Sequence, residues 1–207
     1  MKSNLWFIKG ITKGVQTEKF PDTIPAELAP WSTSLTGSGE ASCPTEAISN
    51  GKWNADKCIY CRRCFPNYKP TGRLPDVEPD KKFGQFSKSF FIYPMDIGSC
   101  GACNVELNAL LYPQYDLHRL GLFFTNTPRH ADAIVIMGIY TDKMQGAFQA
   151  AYNAMPDPKT VVAMGACAIS GGLLGKPPIA DSVIKIPGCP PNPYAILDAL
   201  LKVRGSK

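Results

Sequence analysis

No stretch of this chain holds the roughly 18 consecutive apolar residues that a membrane-spanning helix needs, so the sequence does not cross a bilayer by itself. The opening apolar run, Leu5-Trp6-Phe7-Ile8, is too short for the hydrophobic region of a secretory leader, and a reducing compartment is the expectation. A basic face interleaved with aromatics is also missing, as is any nucleic-acid motif, so nucleic acid is not an expected partner. Nor is there a sign of wholesale disorder. Of the 207 residues 44% are apolar, in recurring short runs that can bury a core.

What the chain does have is eight cysteines in two groups of four: Cys43, Cys58, Cys61 and Cys64, then Cys100, Cys103, Cys167 and Cys189. Four disulfides would suit a secreted protein, but two separate metal-type spacings argue against them. Four thiolates can hold one zinc ion or one iron-sulfur cluster. Structural zinc sites usually pair two short knuckles. Cys58, Cys61 and Cys64 instead place three ligands within seven residues, the bacterial ferredoxin spacing for a 4Fe-4S cluster. With two complete quartets the chain reads as a carrier of electrons between two 4Fe-4S clusters. The formal charge of +5 then changes: two oxidised clusters, each about −2 with its thiolates, leave the loaded chain near +1.

Leu5, Ile8, Ile11 and Val15 recur at near-helical spacing, with Lys2, Lys9 and Lys13 available for the other side, which predicts a short basic amphipathic helix over 3–15. It rests either on a lipid surface or on protein, its own or a partner's. Pro21, Pro25 and Pro30 predict an extended path, and Ser32 to Glu40 a loop. Residues 41–64 form the first cluster module, and 65–88, with Pro66, Pro70, Pro75 and Pro79, a linker.

From Phe90 the texture changes. Short apolar runs at Phe90-Tyr93, Leu122-Thr125, Ala133-Gly138, Thr160-Met164 and Val183-Ile186 read as buried strands. Helices are expected between them, from Val105 to Leu111, from Asp142 to Met155 with Met144, Phe148, Tyr152 and Met155 on one face, and from Pro193 to Val203. Alternating strands and helices imply a parallel sheet covered on both faces, with ligands at the carboxyl ends of its strands. Cys100 and Cys103 follow the first strand, Cys167 the fourth and Cys189 the fifth, so three loops at one end of the sheet converge.

The runs Gly98-Ser99-Cys100-Gly101-Ala102-Cys103 with Glu106, Tyr115-Asp116-Leu117-His118-Arg119-Leu120-Gly121, Pro128-Arg129-His130-Ala131-Asp132, Pro156-Asp157-Pro158-Lys159, Gly165-Ala166-Cys167 and Pro187-Gly188-Cys189-Pro190-Pro191 closely resemble the small subunit of energy-converting, membrane-associated nickel-iron hydrogenases. That family is related to the subunit of respiratory complex I that carries the terminal cluster. Complex I subunits of this type have adjacent cysteines at the first site. Here two residues separate Cys100 from Cys103, as in the hydrogenase branch and in its ferredoxin-linked sulfur-reducing relatives.

Residues 41–64, with Cys43-Pro44-Thr45-Glu46-Ala47-Ile48 and Lys57-Cys58-Ile59-Tyr60-Cys61-Arg62-Arg63-Cys64, resemble half of a two-cluster ferredoxin. Thr33, Thr36, Gly39 and Tyr68 stand where the cysteines of a second ferredoxin cluster would be. In such ferredoxins the cysteine of the Cys-Pro pair ligates the other motif's cluster, which makes Cys43 the fourth ligand beside Cys58, Cys61 and Cys64.

The expected class is therefore α/β: a flavodoxin-like parallel sheet with helices on both faces, preceded by a small half-ferredoxin-like module. The expected division is an amphipathic segment and arm over 1–40, the cluster module and linker over 41–88, and the α/β domain over 89–207. The resemblance implies an electron-transfer subunit, peripheral on the cytoplasmic side of the membrane. Its partners would be a hydrogenase large subunit holding the nickel-iron centre, ferredoxin-like subunits or soluble ferredoxin, and membrane ion-translocating subunits. A complex I-like quinone or sulfur reductase is the alternative, and a non-catalytic cluster-bearing adaptor a third. Glu106 either handles protons toward the catalytic partner or is a first-turn helix carboxylate. Arg129 and His130, and less so Arg119, either tune the second cluster or are ordinary interface residues.

Overall fold

The computed structural model describes residues 6–14, 32–79, 88–174 and 184–205. Helix α1 spans Trp6–Lys13, with Ile8 and Ile11 exposed, so the expected helix is present with apolar side chains left uncovered. Leu5, Val15 and the path read from Pro21, Pro25 and Pro30 lie outside the described residues.

The segment 32–79 is built on two small antiparallel pairs. Strand β1 (Leu35–Gly37) pairs with β4 (Tyr68–Pro70), and β2 (Ile48–Ser49) with β3 (Lys52–Trp53). The second pair turns on Asn50-Gly51, both at positive φ, the type I′ geometry that matches strand twist. The expected loop from Ser32 to Glu40 is thus partly a strand, and Ser32 and Thr33 are fully buried. Long-range contact overrides local polarity here. The Tyr68 hydroxyl donates to the Gly39 carbonyl at 3.0 Å, so two positions that would bear cysteines in a full ferredoxin hold each other instead. The expected linker also contributes to the core, because Val77 is buried among the sheet residues and Lys202 pairs with Asp76 at 3.1 Å.

From residue 90 five strands run parallel: β5 (Phe90–Asp96), β6 (Leu122–Phe124), β7 (Ala133–Met137), β8 (Thr160–Met164) and β9 (Ile184–Ile186). Their spatial order, β6-β5-β7-β8-β9, is the flavodoxin-like order. Helix α2 spans Ala102–Ala109, α3 Asp142–Ala154, α4 Ala166–Ser170 and α5 Pro193–Arg204.

All five residues of β7 are buried, as a central strand covered on both faces requires. Ala133, Val135 and Met137 point to the side where Leu107 of α2 and Ile196, Leu197 and Leu200 of α5 pack. Ile134 and Ile136 point to the other, against Phe148 of α3 and Ile169 of α4. Phe148, Met155, Met144 and Tyr152 do share the buried face read from their spacing. Helix α5 starts on a favoured pattern, Pro193 in its first turn and Asn192 Oδ1 accepting from Tyr194 N at 2.9 Å. Truncating one of its fully buried side chains, Ile196→Ala, removes roughly 2–5 kcal/mol.

Candidate metal centres

Cys43, Cys58, Cys61 and Cys64 all line one cavity of about 240 Å³, together with Trp53, Tyr60, Ile48 and Tyr68. Cys58 caps the 3-10 turn Ala55–Lys57, which Asn54 opens by accepting from Asp56 N at 2.9 Å. Beyond it the backbone is left-handed at Tyr60 (φ +54°) and at Arg62 (φ +60°). Each such non-glycine residue costs about 1–3 kcal/mol. Successive N–H groups brought inward by left-handed residues form the concavities that bind anions and iron-sulfur groups.

The thiols are surrounded accordingly. Ala47 N–H donates to Cys43 Sγ at 3.2 Å. Burial pushes the Cys43 thiol up, but hydrogen bonds from Thr45, Ile48 and Ala47 outweigh it and hold the thiol below its ordinary value. Cys58 and Cys64 are raised, first by burial and further by the charges of neighbouring cysteines, with Trp53 and the Tyr60 N–H partly offsetting this at Cys58. A cationic core bound among these thiols would relieve that repulsion. Among the described residues no three His, Cys, Asp or Glu side chains are gathered closely enough to share a single metal ion. Four cysteines around one cavity are a donor set that an iron-sulfur cluster takes.

The second quartet stands at the carboxyl ends of the sheet strands. Asp96 ends β5 and fixes the loop that follows it, because its carboxylate accepts from Gly98 N (2.8 Å), Ser99 N (2.8 Å), Ser99 Oγ (2.5 Å) and Asn104 Nδ2 (3.0 Å). Burial pushes Asp96 up, but these hydrogen bonds outweigh it and hold the carboxyl below its ordinary value. The loop delivers Cys100 and Cys103.

Ladder bonds Gly165 N to Ile186 O (2.9 Å) and Ala166 N to Gly188 O (2.8 Å) tie the Cys167 and Cys189 loops together. Gly165, at φ +89°, leaves the space that Cys103 occupies, since a Cβ there would lie 2.6 Å from Cys103 Sγ. Burial, then the charges of Cys189, Cys167 and Cys100, pushes the Cys103 thiol up to about 12. Cys189 rises to about 11, by burial and then by Cys167, Cys100 and Cys58. The four cysteines of this quartet are thus electrostatic neighbours, and Cys58 of the first quartet is within reach of the second.

The two sites adjoin. Lys185 pairs with Asp56 at 3.4 Å, and the Ser32 hydroxyl donates to the Pro190 carbonyl, next to Cys189. Helix α4, which carries Cys167, packs on the Ala55–Lys57 turn that precedes Cys58. Tyr60 lines the first cavity. Burial raises its phenol, and the charges of Cys58 and Cys189 raise it further.

Glu106 is half-buried on α2, and burial raises its carboxyl above the ordinary value. The helix begins three residues earlier than the expected Val105, so Glu106 falls in the second turn and the first-turn dipole role does not apply. Exposed Val105, Leu111 and Tyr112 belong to the same segment. Arg129 and His130, both exposed, sit in the 3-10 turn Pro128–His130 that precedes β7. That is the amino end of the sheet, and the topology does not bring them to the cysteines. Arg119 pairs locally with Asp116 at 2.6 Å.

Sequence reasoning missed Asp96, Trp53 and Tyr60. Asp-x-Gly-Ser after a strand is a turn signal that points to the first. The other two lie within the ferredoxin-like segment, and nothing in their spacing distinguishes them.

The family described as "NADH ubiquinone oxidoreductase, 20 Kd subunit" matches residues 100–203, a span that includes Cys100, Cys103, Cys167 and Cys189 but not the first quartet. An uncharacterized protein of Methanocaldococcus jannaschii is 38% identical over 123 residues, 56% of this chain and 83% of the relative. An NADH-quinone oxidoreductase subunit of Citrifermentans bemidjiense is 42% identical over 120 residues, 55% of this chain and 70% of the relative. Among solved structures, a chain of the membrane-bound sulfane sulfur reductase, an archaeal respiratory membrane complex, is similar at 30% identity and a TM-score of 0.48, covering 58% of this chain and 74% of that one.

Proposed function

Because the chain belongs to the family of the 20 kDa NADH ubiquinone oxidoreductase subunit, a component of oxidoreductase complexes, we propose that it is an electron-transfer subunit holding two 4Fe-4S clusters. The observation that carries this reading is the adjacency of the two cysteine quartets across the Asp56–Lys185 seam. When bound, the two clusters supply one-electron centres between a low-potential donor and a catalytic centre on a partner subunit. The chain's own residues hold and position them. Cys43, Cys58, Cys61 and Cys64 bind the first, within a backbone that already aims N–H groups at the thiols. Cys100, Cys103, Cys167 and Cys189 bind the second, on loops that the sheet gathers and Asp96 fixes.

The donor in this reading is ferredoxin or a ferredoxin-like subunit, and the partner is a hydrogenase large subunit with a nickel-iron centre. The Cys100-x-x-Cys103 spacing supports that branch. Exposed Val105, Leu111 and Tyr112 beside Glu106 offer the large subunit an apolar contact surface, and the raised carboxyl of Glu106 supports a proton-exchange role toward it in this reading. Membrane ion-translocating subunits complete the assembly, with this chain peripheral on the cytoplasmic side. Among the described residues no helix is long and apolar enough to cross a membrane.

A second reading, a complex I-like quinone or sulfur reductase with the same relay, is favoured by the relatives named as NADH-quinone oxidoreductase subunits. Dihydrogen separates the two. In the purified native complex, reduction of both clusters by dihydrogen supports the hydrogenase reading. Reduction by ferredoxin alone supports the second. Clusters that no donor cycles would make the chain a structural adaptor.

A further inference from the structure

Two residues that line the N-terminal cavity carry buried polar atoms without an ordinary hydrogen bond. The Trp53 indole Nε1 and the Tyr60 hydroxyl oxygen are buried, and neither has a hydrogen-bond partner of ordinary length among the described residues. The Trp53 N–H is directed toward Cys58, whose charged form it favours. A buried donor left without a partner is destabilising, and folded chains leave few without a reason.

Both side chains are delivered by defined local structure. Trp53 ends the β2–β3 hairpin opposite Ile48. Tyr60 is carried by one of the two left-handed residues of the cysteine loop. Their rings meet edge to face, with centroids 6.5 Å apart and planes at 73°. Two strained or cornered segments thus bring two buried donors among the residues that line the cavity with the four cysteines.

Resting on the assignment of a 4Fe-4S cluster to Cys43, Cys58, Cys61 and Cys64, we propose that the Trp53 indole N–H and the Tyr60 hydroxyl donate hydrogen bonds to sulfur atoms of that cluster and set its reduction potential. Reduction adds a negative charge to the cluster. A donor aimed at its sulfur stabilises the more charged, reduced form and so raises the potential. Neither residue ligates iron, so both act as positioning residues whose removal leaves iron binding in place. Burial of the two donor atoms keeps water from substituting for them.

The test is an anaerobic redox titration, monitored by electron paramagnetic resonance, on the whole loaded chain with Trp53→Phe or Tyr60→Phe. The signal that Cys43→Ala disturbs identifies the N-terminal cluster. In each variant we expect its reduced-to-oxidised ratio at a fixed potential to fall about tenfold, about 59 mV for a one-electron couple. Iron content should match the parent, and the Fe–S stretching frequencies in resonance Raman spectra should shift. Tyr60→Phe removes one oxygen and keeps every ring contact, so a packing defect cannot mimic the effect. Unchanged midpoints and Raman bands with full iron in both variants would overturn the inference and leave the cluster assignment standing. A parent chain with no iron at the first quartet would instead overturn the assignment itself.

Discussion

Adding one methyl group at Gly165 should uncouple the second cysteine quartet from its scaffold. Gly165 has φ +89° and ψ 153°, a region that glycine alone occupies without strain, and an L-residue there costs about 1–3 kcal/mol. The new Cβ would also stand 2.6 Å from Cys103 Sγ, and overpacking of that kind costs about 1–3 kcal/mol. Together Gly165→Ala should lose roughly 2–6 kcal/mol, a large part of the roughly 5–15 kcal/mol that holds a domain folded. Cys103 must leave the position it holds, so the local damage falls on the second quartet. Gly101→Ala is the control, since Gly101 has φ +88° but nothing within 4 Å of an added Cβ, and it should lose only the backbone part. The assay is anaerobic urea unfolding of the loaded chain, with iron counted and the two cluster signals followed separately. The midpoint for Gly165→Ala should fall well below that of Gly101→Ala, with the second cluster's signal lost and the N-terminal one kept. Equal midpoints for the two variants, with both signals intact, would refute the claimed contact.

Asp96→Ala removes an acceptor of four hydrogen bonds from an exposed carboxylate, for which about 2–3 kcal/mol is expected, and it should loosen Cys100 and Cys103 without touching the first site; undiminished iron at the second quartet would contradict this. Glu106 has a raised carboxyl, so its stabilising contribution is present below its ordinary value near about pH 4 and is lost as pH rises through the raised one. Glu106→Gln should therefore be more stable than the parent at neutral pH and lose that advantage in acid, and urea midpoints at the two pH values check the sign. In the native complex the same variant should lower turnover by roughly 10²-fold with both clusters intact, whereas unchanged turnover would leave Glu106 a structural residue only. Cys43→Ala should disturb one cluster signal and block reduction by ferredoxin, while an artificial donor that reaches the second cluster still drives turnover; loss of the other signal would redraw the quartets.

Much of the α/β part was legible because its signals are local. Thr160–Met164 reads as a strand with the bounds that the fold shows, and Pro193 with Asn192 marks the start of α5. The parallel topology then places Cys100, Cys167 and Cys189 at one end of the sheet. The same rule puts Arg129 and His130 at the other end, because they precede β7, and a tuning role overlooked that consequence. Helix α4 leaves no mark in the sequence pattern, since five residues between glycines carry too short a period to register. The β1–β4 pair joins segments more than thirty residues apart, and no local pattern announces it. The seam between the quartets depends on Asp56 meeting Lys185 and Ser32 meeting Pro190, contacts that exist only once both parts have folded.

Two complete cysteine quartets are the foundation of the electron-relay reading, and the metal content of the chain tests it most directly. Prepared without air, the chain should hold about eight irons and about eight acid-labile sulfides, as two 4Fe-4S clusters require. Cysteine-to-alanine changes confined to one quartet should remove only that quartet's share. Stoichiometric zinc with little iron, or iron that either quartet's removal abolishes entirely, would contradict the account.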